Sequence, residues 1–320
     1  MRRLATILLL FCATTHCVLS IYYVNTSYLN LHSYAHGTER SPFQQRLIMV
    51  PVLRWAESNH ILQAAAARYG VNVPQPEPMS AAKLACIIVS LVLLNAFGLW
   101  TIRASRQLSI RHWWLLWALL LAILYASFAA RYEQTLWYPH DIPHLVLFGM
   151  ATVFILSDRP LPFVAAFAID APMRETSAFL IAVALVVHIR SKAWRVAIAA
   201  CSVLWVLSRL LAQRLYPNGA HAWNALHGYT MIKPWHLPQL FSIVGFLWLP
   251  VWLGLKYLTA LERRALYAAS AMILLTFFFA TWNETRAWSE WCVLFAIFAA
   301  VQLERSFAAS APLCEGSDRE

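Results

Sequence analysis

Apolar runs of membrane-spanning length recur from end to end of this chain, separated mostly by short polar connections. A bilayer core is about 30 Å thick and takes roughly 20 helical residues to cross. Within it every backbone N–H and C=O must find its partner in the chain, which favours helices. The runs are Leu4–Tyr23, Ala81–Ile102, Trp113–Ala130, Ile142–Leu156, Ser177–Ile189, Val196–Leu211, Leu240–Leu255, Ala265–Ala280 and Trp291–Leu303. A further stretch, Leu161–Ile169, is too short to cross alone and is expected to form a broken or re-entrant pair with Ser177–Ile189. The expected fold is all-α: a polytopic transmembrane helical bundle of about nine or ten membrane segments. Residues 1–320 would form a single integral membrane domain. Composition agrees, with 60% hydrophobic and only 12% charged residues, where a soluble domain carries about 25% charged.

Charge sets the expected orientation. With Arg2 and Arg3 in the cytoplasm and residues 1–23 as an uncleaved first span, the cytoplasmic connections are Arg103–Arg111, Ser157–Pro160, Arg190–Arg195, Lys256–Arg264 and the tail, 306–320. The internal ones are short and basic, as the positive-inside rule requires. Both termini are then cytoplasmic, and the protein is expected in the bacterial inner membrane. The net charge of +10 is divided among these clusters and makes no continuous basic stripe, so nucleic acid is not an expected partner. The six cysteines form no C-x-x-C pair, which argues against a disulfide framework or a zinc knuckle. Glycine-rich phosphate loops, nucleophile elbows and dinucleotide fingerprints are also missing from the sequence, which disfavours a nucleotide-binding enzyme or ATP-driven pump.

The opposite face receives residues 24–80, Arg131–Asp141, Asp170–Thr176, Gln213–Gln239 and Thr281–Glu290, with most of the prolines and seven of the eleven histidines. Within 24–80, apolar residues near helical spacing (Leu47, Val50, Leu53, Trp55, Ile61, Leu62, Ala65) predict an amphipathic helix along the outer membrane–water boundary, with Pro51 a candidate break. The remaining membrane helices occupy 81–305.

Several outer-face segments combine acids, bases and aromatics. Glu39 and Arg40, followed by Arg46, put a carboxylate beside two guanidiniums: a base for a sugar hydroxyl with a clamp for phosphate, or a solvated loop with surface ion pairs. His140 and His144 are spaced i, i+4 around Asp141, weak candidates for a divalent metal. Asp141 equally suits an N-cap with a proline just inside the helix. Asp170 to Thr176 lies between apolar runs, where ionisable groups are costly and functional by default; the structural alternative pairs Asp170 with Arg174 one turn on. Lys233 lies among aromatics and histidines in Gln213–Gln239, and Glu284, Arg286 and Trp288 form a further acid–base mouth.

Pro42–Arg46 (P-F-x-x-R), Arg174–Thr176 (R-E-T) and Asn283–Trp288 (N-E-T-R-x-W) resemble segments of a loose group of bacterial membrane proteins around the GT-C glycosyltransferases and capsule polysaccharide polymerases. Members usually carry a D-x-D or E-x-D pair in the first outer loop; this chain has no such pair there and offers Glu39, followed by Arg40. The resemblance implies surface glycan assembly at the extracytoplasmic face, with a polyprenyl-phosphate-linked sugar donor, a glycan or lipid acceptor and membrane lipids as partners. Glu39, Glu175 and Glu284 are then the catalytic candidates. Arg40, Arg46, Arg174, Lys233, Arg286 and Trp288 would bind substrate, and a divalent metal is an optional cofactor. The competing classes are a transporter or lipid-carrier flippase, suggested by the interrupted stretch around Asp170–Thr176, and a non-catalytic membrane assembly partner.

Overall fold

The computed structural model describes residues 2–39, 43–70, 77–129, 136–217, 242–276 and 290–310. They are nearly all helical; the one sheet is a two-residue parallel ladder, β1 (Thr26–Ser27) with β2 (Leu136–Trp137). In chain order the first helices are α1 (Arg2–Val24), α2 (Leu31–His36), α3 (Met49–Ser58), α4 (His60–Gly70), α5 (Ala81–Gln107) and α6 (Trp113–Leu124). There follow α7 (Asp141–Leu156), α8 (Pro160–Asp170), α9 (Ala178–His188), α10 (Lys192–Leu215), α11 (Trp248–Leu253), α12 (Ala260–Thr276) and α13 (Cys292–Ser310).

Three of these helices are long and apolar enough to cross a membrane: α1, α5 and α10. Other apolar runs form shorter helices because polar residues cut them. Asp170 closes α8 after 11 residues, and the Ile189–Ser191 turn closes α9, also of 11 residues. The run starting at Leu240 is not one helix over its described part. Val244, Gly245 and Phe246 all take positive φ, so a 3-10 turn, Ile243–Phe246, precedes the six-residue α11.

Helix α13 is the centre of the molecule. Every residue from Trp291 to Val301 is buried, as expected of a helix apolar on all sides. Helices α1, α5 and α6 interlock beside it: Trp117 Nε1 donates to Thr14 Oγ1 at 3.0 Å, and the Tyr22 and Ser90 hydroxyls bond at 2.8 Å. Gly98 lets α5 meet α6 closely, since a β-carbon there would overlap the Trp117 indole. By contrast α10 turns Val203, Val206, Leu207, Leu210 and Leu211 outward, an apolar stripe at helical spacing.

Helices α2, α3 and α4 pack as a layer against α5. The expected break at Pro51 does not occur. Pro51 sits in the first turn of α3, where its missing N–H has no intrahelical partner to lose. The break falls at Asn59, whose side chain accepts from Ile61 N and Leu62 N and so starts α4. Met49, Val50, Leu53 and Ala56 face inward, while Trp55 and Ile61 stay exposed.

Helices α7 and α8 form a tight hairpin through residues 157–159, and α9 and α10 form another through 189–191. The two hairpin bases meet: Trp194 Nε1 donates to Asp158 Oδ1 at 2.6 Å, and the His188 and Trp194 rings stack at 4.3 Å. At the other end of α8 and α9 lies the turn 171–174, which faces the segment around Arg46. Leu47 N donates to Pro172 O across that junction at 2.9 Å.

Candidate functional site: a buried network of charges

Each charged residue of the network enters at the end of an element or by interrupting an apolar one. Arg46 follows the 3-10 turn Phe43–Gln45; the Tyr34 hydroxyl donates to its carbonyl oxygen. Its guanidinium lies 5.1 Å from the Phe43 ring centroid and 5.7 Å from that of Tyr138. His140 and His144 stand at the start of α7, Asp170 ends α8, and Arg174 and Glu175 occupy the turn into α9. Arg209 projects from within α10, and Glu290 precedes α13.

Two linked clusters result. In the first, Arg46 and Arg209 hold the two oxygens of Glu175, at 3.1 and 3.2 Å, and Arg46 also donates to His140 Nε2 at 2.6 Å. An arginine only donates, so Nε2 is the lone-pair nitrogen of His140. Arg209 further reaches Ala171 O at 2.5 Å, and Trp205 Nε1 donates to Glu175 O at 3.1 Å. In the second cluster, His144 Nδ1 bonds Asp170 Oδ1 at 2.6 Å, while its Nε2 lies 3.4 Å from both Glu290 Oε2 and Thr176 Oγ1. Arg174 closes this cluster on Glu290 at 3.2 Å. The adjacent residues Arg174 and Glu175 thus bind the two clusters together.

Three arginines, Arg46, Arg174 and Arg209, stand among the carboxylates of Glu175, Glu290, Asp170 and the nearby Asp141, with His144 between Asp170 and Glu290. Burying the Glu175 carboxylate alone would be costly, and the guanidiniums of Arg46 and Arg209 on its two oxygens compensate that charge. Hydrogen-bond capacity is left over, because buried Asp170 Oδ2 and Arg46 Nε have no such partner among the described residues. Buried polar atoms of this kind are normally satisfied, so each is a place for water or a ligand atom.

Several site expectations change in this light. Glu175 is poorly suited to be a base, since two guanidiniums stabilise its ionised form. Glu39 accepts from Asn30 N at 3.1 Å, bracing the start of α2, while Arg46 turns to Glu175 instead. Asp170 and Arg174 do not make the expected one-turn pair: α8 ends at Asp170, so helical spacing no longer applies, and the two side chains go to His144 and Glu290. Asp141 is the first residue of α7 rather than its N-cap, and its carboxylate turns back to accept from Tyr138 N at 3.0 Å. His140, Asp141 and His144 do not converge as a metal triad, because each spends its ring nitrogen or carboxylate on another partner. Arg40, Lys233, Glu284, Arg286 and Trp288 lie outside the described residues.

Arg209 and Glu290 join the site although neither was singled out in the sequence, and Asp170, expected within a functional segment, joins it as the partner of His144. Arg209 had a legible signal, a lone arginine inside an apolar helix, where an ionisable side chain is functional by default. Compared with protein-family models, curated proteins and solved structures, the chain matches none.

Proposed function

We propose that this chain is a multi-pass protein of the bacterial inner membrane that transfers a sugar from a polyprenyl-phosphate-linked donor at the extracytoplasmic face. The observation that carries this is the convergence of Arg46 and Arg209 on one partly exposed carboxylate, Glu175, whose side chain is 28% exposed. Paired guanidiniums are the preferred donors for carboxylate and phosphate alike. A lipid-linked phosphate competes for the position that Glu175 holds, and the arginines then neutralise the departing lipid phosphate. His144, oriented by Asp170, replaces the glutamates as the base that takes the acceptor hydroxyl proton through Nε2.

Depth supports a membrane-embedded substrate. Helix α8 has 11 residues, so the network lies about 16 Å along the helix from the basic turn at Arg159. With that turn at the cytoplasmic surface, the charges sit near the middle of a core about 30 Å thick. The nine or ten membrane segments require α7, α8, α9 and their neighbours to act as short spans around a wet cavity opening outward. Exposed Trp55 and Ile61 on α3 and α4 suit the outer interface, and the apolar stripe of α10 suits lipid.

The test is mass spectrometry of lipid-linked glycans in the source bacterium, comparing a deletion, the wild-type complement, Arg209→Ala and His144→Gln at matched membrane abundance. One lipid-linked intermediate accumulating in the deletion and both variants, and cleared by the complement, is the expected result. Unchanged pools and unchanged surface glycan in the deletion overturn it. Transport is the competing function, favoured by the helix broken between α8 and α9. It predicts an intermediate trapped on the cytoplasmic leaflet, where the transferase leaves it on the outer one.

A further inference from the structure

Away from the charge network, on the α2–α3 layer, His32 and His36 stand one turn apart on the same face of α2 and meet Glu57 from α3. One ligand atom from each lies within 4.8 Å of the other two, a grouping of metal-ligating side chains found nowhere else among the described residues. His32 Nδ1 is 3.1 Å and His36 Nδ1 3.5 Å from the same oxygen, Glu57 Oε2. Ligands held tetrahedrally at zinc distances are about 3.4 Å from one another, so both imidazoles already stand near ligand spacing from the Glu57 oxygen. The two rings lie only 4.3 Å apart, tilted by 42°. His36 Nδ1 also lies 3.0 Å from His32 O.

We propose that His32, His36 and Glu57 form a zinc site with a coordination position open to a cleft. Two imidazoles and one carboxylate are a donor set suited to a borderline divalent ion, and three protein ligands leave a fourth position for water or a ligand oxygen. The cleft, about 500 Å³ and lined also by Arg54, Ser58 and Gln63, is of the size that accepts a small molecule. Arg54 is held in place by two bonds to Ala35 O, at 3.0 and 3.2 Å, which sets a fixed cation beside the site. An anionic oxygen ligand, carboxylate or phosphate, suits zinc and guanidinium together. Zinc would also tie α2 to α3 within the layer that carries Arg46 at its edge.

The test uses full-length protein in detergent, stripped with chelator and titrated with zinc chloride by calorimetry, with bound metal counted by elemental analysis after desalting. One zinc per chain is expected for wild type, with magnesium failing to compete. Cobalt in its place should give the visible absorption of a tetrahedral nitrogen–oxygen site. The triple variant His32→Ala, His36→Ala, Glu57→Gln should bind none. His32→Gln alone changes a side chain that is 75% exposed, so folding is spared; affinity should still fall at least tenfold. Equal zinc binding by wild type and triple variant, or no binding by wild type, overturns the proposal.

Discussion

Arg209, deep within α10, bonds the carboxylate of Glu175 at 3.2 Å, while Arg46 takes the other oxygen from a segment 129 residues earlier in the chain than Glu175. Neither arginine has another carboxylate among the ion pairs of the described residues. Removing any one of the three therefore leaves the others imperfectly compensated, and that is measurable.

Arg209→Gln should destabilise the protein in detergent by about 2–3 kcal/mol. Breaking a fully buried pair costs about 3–5 kcal/mol, and these side chains are 13% and 28% exposed. The double variant Arg209→Gln, Glu175→Gln should lose less than the two singles added, because the uncompensated charge disappears. Thermal unfolding of the four proteins measures this coupling; strict additivity refutes it. Arg209→Lys should retain most of the stability but not transfer, since an ammonium lacks the planar fork.

Asp170→Asn tests the orientation of His144. The amide can present an N–H to Nδ1 and so favour the wrong tautomer, leaving Nε2 unable to accept a proton. Transfer should fall by about 10²–10⁴-fold with membrane abundance retained. Asp170→Asn with normal transfer excludes His144 as the base.

Gly98→Ala places a methyl group in the Trp117 indole, so α5 and α6 must separate. A loss of about 1–3 kcal/mol is expected, and it should be partly relieved in the Gly98→Ala, Trp117→Leu double variant. Thermal midpoints of the two proteins decide.

Much of the helical content could be seen in residue order alone, because a run of apolar side chains is a local property. The ends of α1, α5 and α7 lie within two residues of the apolar run edges, apart from the polar tail of α5 to Gln107. The run from Leu240 misled, since nothing in its composition announces positive φ at Val244 and Phe246. Pro51 misled for the opposite reason: a helix-breaking residue does no harm in a first turn, and where that turn falls depends on what α3 packs against.

The sequence by itself determined that charges stand at Arg46, at Arg174 and Glu175, and within α10, flanked by apolar residues that make each costly to bury alone. Only the tertiary structure decided which charge answers which. Arg174 and Glu175 are neighbours in the chain yet serve different clusters, and Asp170 prefers His144 on α7 to Arg174 four residues away. The physical reason is that an ion pair needs its two groups within about 4 Å. That separation is set by how α7, α8, α10 and α13 pack, long-range contacts that no local pattern of residues encodes.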